Sequence, residues 1–335
     1  DTVFVDELTW EENRDAMKAG KTVFIVPIGG TEKNGYHMVL GKHNYTVTHA
    51  ANVMARKLKN ALVVPTLQYV PEGDPDRQNS GAISLPSPSY DGVLDAIARS
   101  LKAHGATDIL FIGDSGGNQN GMTAVATKLN EEWKGGGTRV YSLTSYYEEG
   151  RVHYRAWMEA AFGYGDDIIG SHAGISDTSQ MLHVRPAGIR KNMLMAWGGP
   201  KDSGVSGDPM KATAEIGRMG IEFKVNNNVG IFRFSKLTMT TIDGSGVRVG
   251  VISDGIDGLA AAQVTGDLPA VVVPPDPRCS LGSGNEGTAL LEIVHDLAPG
   301  AELLFSSGIA STLTFIQAVE CLVAAGANVI VDDLG

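Results

Sequence analysis

Four short apolar runs constrain the fold of this chain most: "TVFIVPI" (22–28), "ALVVPTL" (61–67), "DILFIGD" (108–114) and "RVYSLTS" (139–145). They are short, mostly apolar and end at Gly, Pro or Ser, the pattern of strands buried on both faces. Helix-like stretches near 46–58, 90–104 and 119–134 separate them, the last two with apolar residues at helical spacing. Strands alternating with helices predict an α/β fold, a mainly parallel sheet covered by helices in a three-layer sandwich. In such sheets chemistry collects in the loops beyond the carboxyl ends of the strands, here after residues 28, 67 and 113.

From about 200 the pattern loosens. A turn-rich loop, "GGPKDSGVSGDP", precedes a helix near 209–219, and "KVNNNVGIFRFSKLTMTTIDGSG" shows no long period. A new alternation begins at "VRVGVIS" (247–253), with strands expected near 269–273, 301–306 and 328–332 and helices near 286–296 and 311–325. The expected domains are 1–236 and 237–335, the second a smaller α/β unit.

With a formal charge of −11 and no basic stripe, the chain is not expected to bind nucleic acid, which requires clustered Lys and Arg. No apolar run is long enough to suggest a membrane span. Cys279 and Cys321 lack C-x-x-C spacing, which argues against a thiolate zinc site and leaves buried thiols or one disulfide. The chain opens on Asp1, and the expectation leans slightly toward a periplasmic or secreted protein.

Three segments carry candidate chemistry. The loop "PIGGTEKNGYHMVLGKHN" (27–44) gathers Glu32, His37 and His43, carboxylate and imidazole ligands of the kind zinc or manganese selects. "GSHAGISDTSQML" (170–182) contributes His172 and Asp177, with helix capping by Asp177 as the alternative. "FIGDSGGNQNG" (111–121) places Ser115 in the string that surrounds the nucleophile of trypsin-like proteases. That fold is built of β-barrels, whereas this string lies between a strand and a helix. The G-x-S-x-G elbow fits strand–turn–helix better and would draw on Asp177 and His183; otherwise Asp114 or Ser115 binds metal or substrate.

The ordered strings "GGTEKNGYH", "GAISLPSPS", "IGDSGGN" and "SHAGISDTS" resemble the creatininase (creatinine amidohydrolase) family over about 3–236. The family's counterparts read G-[ST]-x-E-x-H-G-x-H, F-P-G-T-x-S-L, N-G-H-x-x-N and H-x-G-x-x-E-T-S. The resemblance implies an α/β/α sandwich, commonly hexameric, in which zinc or manganese activates water to open an amide C–N bond. Glu32 would then be a metal ligand, His172 an acid/base, and Asp177 the acidic residue of E-T-S. Three positions depart from the family: Asn34 for a ligand histidine, His43 for the bridging aspartate, and Ser115 for the histidine of N-G-H. An imidazole gives one nitrogen to one metal, so a single divalent ion is expected, held by Glu32, His43 and Asp114 or Asp177, with His37 nearby.

Residues 244–335 resemble the first half of a subtilisin-like catalytic domain. Asp254 in "GVISDGIDG" matches its triad aspartate, Glu286 stands at its histidine position, and no G-T-S-x-x-x-P serine motif occurs in these residues. The unit is then part of a longer chain or a fused module for packing or association. The expected activity is metal-dependent hydrolysis of a small, cyclic or peptide amide by a homo-oligomer, with a Ser115 hydrolase or a non-catalytic binding protein as alternatives.

Overall fold

The computed structural model describes residues 2–74, 81–196, 199, 203–239 and 244–332. The chain divides into two compact units, Asp1–Ile231 and Phe232–Gly335, so the units meet inside a helix, five residues before the boundary expected from sequence.

In the first unit, strands β1 (Val23–Ile28), β2 (Ala61–Val63), β3 (Asp108–Gly113) and β4 (Arg139–Ser142) form a parallel sheet in the order β2-β1-β3-β4. Helices α1 (Trp10–Lys18), α2 (Lys42–Leu58), α3 (Ser87–Ala103) and α4 (Gln119–Glu132) connect and cover it. Every residue of β1 and β3 is buried, as expected of strands covered on both faces. Alternation along the strands sorts the two faces. Phe24, Val26, Ile28, Ile109 and Phe111 pack with Tyr90, Leu94, Met122 and Leu129 of α3 and α4. That leaves Ile25, Leu110 and Ile112 for the opposite face, where α2 buries Val47, Ala50, Ala51 and Met54.

Four further helices complete the unit: α5 (Ser145–Arg151), α6 (His153–Phe162), α7 (Asp166–Ile169) and α8 (Ile175–Val184). Then comes α9 (Ala214–Met239), a single helix that takes in most of the short helix expected near 209–219 and continues through residues expected to be irregular. Its Asn and Gly content lowers intrinsic helix propensity, but burial of Ile216, Ile221, Val225 and Val229 at helical spacing overrides it. Gly217 lets α9 approach α8 closely, since a Cβ there would lie 1.9 Å from the Ser179 carbonyl oxygen.

The second unit holds β5 (Arg248–Ser253), α10 (Leu259–Thr265), β6 (Val271–Val272), α11 (Glu286–Leu297), β7 (Glu302–Ser307), α12 (Thr312–Ala324) and β8 (Val329–Asp332). The strands are parallel in the order β6-β7-β5-β8. Cys279 and Cys321 form a disulfide across 42 residues, which resolves the two alternatives left by the sequence. Closing a loop of that length contributes about 4 kcal/mol in the chain-entropy model. Asp254 follows β5, and its Oδ1 accepts the N–H groups of Gly255 and, at 3.1 Å, Gly287; Glu286 is exposed at the start of α11.

Gly217→Ala tests the α8–α9 approach. The added methyl must push two backbones apart, so the first unit is expected to lose about 2 kcal/mol, read as a lower urea midpoint at an unchanged slope.

Candidate functional site

The site lies where the sheet's carboxyl ends meet α2, α8 and α9. Glu32 sits in the loop after β1, and Lys42 and His43 open α2. Asp114 directly follows β3. His172 precedes α8, Asp177 lies in its first turn, and Lys224 projects from α9.

The 32–40 loop is pinned by Asn34, which is fully buried and turns its Nδ2 toward the carbonyls of Glu32 (2.8 Å), Val39 (3.2 Å) and Leu40 (3.2 Å). Where the resemblance leads one to expect a ligand histidine, Asn34 thus acts as a loop staple. The strand ends are tied in the same manner: Asn118 Nδ2 donates to the Ile28 and Gly29 carbonyls, and Gly30 N–H donates to Asn44 Oδ1.

Glu32 Oε1 is the meeting point of the site. It lies 2.7 Å from His43 Nε2, 2.9 Å from His172 Nε2 and 3.2 Å from Lys42 Nζ. His43 Nδ1 reaches Asp114 Oδ2 at 2.7 Å, and Asp114 Oδ1 accepts from Lys224 Nζ, also at 2.7 Å. Lys42 Nζ donates to Asp177 Oδ2 at 2.6 Å, and the same oxygen accepts the Ala173 N–H at 2.8 Å. Ala173 holds a left-handed backbone with φ of 53° to present that N–H, a conformation unusual for a residue with a Cβ. His172 Nδ1 is fixed on the Gly204 carbonyl at 2.7 Å. Charges thus alternate along a chain of contacts from Lys224 through Asp114, His43, Glu32 and Lys42 to Asp177.

These contacts set the protonation states. Burial opposes the charge on Lys42, but Asp177 and Glu32 outweigh it and raise its pKa to about 12. Burial and Lys42 oppose charge on His43, yet hydrogen bonds to Asp114 and Glu32 win, lifting it to about 9 and making it an imidazolium at neutral pH. Burial alone would raise the Glu32, Asp114 and Asp177 carboxyls; the cations around them hold all three below the usual carboxylate range.

The remaining candidates lie elsewhere. His37 is buried against α8 at 2.9 Å from Thr178 Oγ1, which spends its proton on the Ala173 carbonyl, so His37 Nε2 is the donor and the ring bridges the loop to α8. Burial pushes its pKa down. Ser115 Oγ donates to Glu72 Oε2 at 3.2 Å. Asp177 is bound to Lys42, and His183 packs edge-on against His49, so the Ser115, Asp177 and His183 of an elbow triad face separate partners. Asp177 sits inside α8 and accepts from Ala173, which is a contact different from the N-cap considered from sequence.

Sequence reasoning missed Lys42, Lys224 and Glu72. Lys224 was readable only through the apolar spacing of α9, and Lys42 only through its place beside His43. Glu72 carries no motif; it packs against Gly30, where a Cβ would lie 1.7 Å from its Oε1, and burial raises its carboxyl to about 7.

Over these groups opens a cleft of about 620 Å³, with Tyr147, Gly150, Ser176 and Gln180 on its walls. A family model described as creatinine amidohydrolase matches residues 6–231. The chain belongs to the creatininase family. Creatinine amidohydrolase of Pseudomonas putida is 30% identical over 199 residues, covering 55% of this chain and 73% of that protein. Mycofactocin precursor peptide peptidase of Mycobacterium tuberculosis is 26% identical over 220 residues, covering 58% and 78%. A manganese form of creatininase superposes with a TM-score of 0.57 at 23% identity, over 70% of this chain and 99% of that one. A zinc–zinc form of a creatininase mutant gives 0.56 at 23% identity, over 70% and 98%.

The family thus implies a divalent metal, but the donors present here do not fit one. Glu32, Asp114 and Asp177 each meet a lysine Nζ, and His43 turns both of its ring nitrogens onto carboxylate oxygens at 2.7 Å. Among the described residues no group of three or more His, Cys, Asp or Glu side chains is arranged to hold an ion. The expected ligands Glu32, His43, Asp114 and Asp177 do converge, but on one another and on lysines.

The shifts predict a pH profile. Folded Glu72 (4.5 to about 7) and His43 (6.5 to about 9) keep protons that the unfolded chain releases, so stability falls as pH rises through both windows. Glu32, Asp114 and Asp177, held low, make stability fall again as pH drops below about 4. Calorimetry of the protein from pH 3 to 9 is expected to place the highest Tm of the first unit near pH 5. His43→Gln is expected to flatten the decline above pH 7.

Proposed function

We propose that the first unit recognises a small amide, lactam or short peptide in the cleft over Glu32, and that it has given up hydrolysis by metal-activated water. One observation carries this reading: Lys42 Nζ is buried between Glu32 and Asp177, two acidic positions that the family resemblance assigns to the reaction. The ligand class rests on family membership and on the names of its relatives, an amidohydrolase and a peptide peptidase. Without a metal, hydrolysis needs another activated nucleophile, and Ser115 hydrogen-bonds a carboxyl where an elbow would require an imidazole.

The competing reading is a zinc- or manganese-dependent amidohydrolase. It is favoured by the zinc and manganese forms of creatininase that share the fold, and it places an ion beside Lys42 on Glu32. A homo-oligomer is carried over from the family resemblance. In the second unit, the parallel order β6-β7-β5-β8 and the position of Asp254 after β5 support the subtilase-like reading, with a packing or association role. The Cys279–Cys321 disulfide supports an oxidising compartment, outside the cytoplasm.

Creatinine, simple lactams, linear amides and short peptides form the test panel, each followed by ligand-observed NMR for binding and by mass spectrometry for cleavage. Saturable binding without turnover is expected, and Ser176→Trp, which fills the cleft, should abolish it. Turnover at about 1 per second or faster, the ordinary enzymatic range, would instead support the hydrolase.

A further inference from the structure

Lys42 does what a bound cation would do. It opens α2, its side chain is only 3% exposed, and it joins the carboxylates of Glu32 and Asp177, which lie 145 positions apart in the chain. Lys224 does the same from α9: 6% exposed, it sits 2.7 Å from Asp114 Oδ1 and 5.0 Å from the centre of the buried Tyr146 ring, whose face attracts a cation. His43 links the two groups through Asp114 and Glu32. Three carboxylates are therefore met by four basic side chains, Lys42, His43, His172 and Lys224, all supplied by this chain.

We propose that Lys42 and Lys224 are built-in cations that replace divalent metal ions, so that the site is assembled and held together without metal. An ammonium offers three donors and no lone pair, so it meets the carboxylate oxygens it touches, Glu32 Oε1, Asp177 Oδ2 and Asp114 Oδ1, in the place a cation would take. A divalent ion on Glu32 would also face the like charge of Lys42 a few ångströms away at a buried site, where screening is weak. This inference rests on the family assignment and is independent of which amide the cleft accepts.

The test measures metal content and thermal stability with no amide present, so it stands whatever the binding panel returns. Protein purified without chelator is expected to contain zinc and manganese well below one equivalent per chain. Its Tm should be unmoved by EDTA or by millimolar zinc or manganese. Lys42→Ala removes one partner of a buried pair and should lower the Tm of the first unit by about 10 °C. Added manganese or zinc should restore part of that loss in the variant, and only there. Lys42→Gln is one atom shorter but keeps two N–H donors without the charge; it serves as the second variant if Lys42→Ala does not fold, and the same partial rescue is expected. About one equivalent of bound metal in the wild type, a wild-type Tm raised by several degrees on adding manganese, or a Lys42→Gln variant as stable as wild type would each overturn the proposal. If neither variant folds, the metal content and chelator response of the wild type decide it alone.

Discussion

Glu32 Oε1 gathers three basic side chains from two segments, and the first unit's site is organised around that one oxygen. Lys42 and His43 reach it from α2, and His172 reaches it from the segment before α8. A part-buried carboxylate so surrounded is held well below the usual carboxylate range, and each donor it holds is anchored a second time: His43 on Asp114, His172 on Gly204 and Lys42 on Asp177. The arrangement fixes where α2, β3 and α8 meet. Removing any one of these cations would leave a carboxylate short of a partner in a largely buried setting, which is costly.

Fold and site have followed separate courses. The parallel sheet β2-β1-β3-β4 and its covering helices are what the creatininase family uses, and the strands that carry the loops are intact. At the loop ends, however, Asn34 staples backbone carbonyls, His43 bridges two carboxylates, and Ser115 hydrogen-bonds Glu72. The scaffold tolerates this because its stability comes from buried apolar faces such as Phe24, Val26 and Phe111, which do not depend on what the loops hold.

Much of this was legible in the sequence. The strands announced themselves because they are apolar and bounded by turn residues, and the loops after 28 and 113 were identified as the place where Glu32, His43 and Asp114 would converge. What could not be read was the pairing. Alternation of hydrophobicity reports burial, but nothing in the spacing of Lys224 from Asp114 tells that the two meet across 110 positions. The long helix α9 was missed because Asn and Gly residues weighed more than the regular return of Ile221, Val225 and Val229. Missing the helix meant missing the lysine it carries. His37 had the right chemistry in the right loop, yet it faces Thr178, since a loop's sequence does not fix which side chains turn inward.

The alternating contact chain from Lys224 to Asp177 also bears on how such a site could change. Each member is satisfied by its neighbours, so replacing one alone strands a buried charge: an aspartate at position 43 would face both Glu32 and Asp114 with no proton to share between them. Strongly coupled positions of this kind are expected to be epistatic, each substitution being acceptable only in the company of others. Altering the charge pattern of this site is therefore expected to take more than one substitution together.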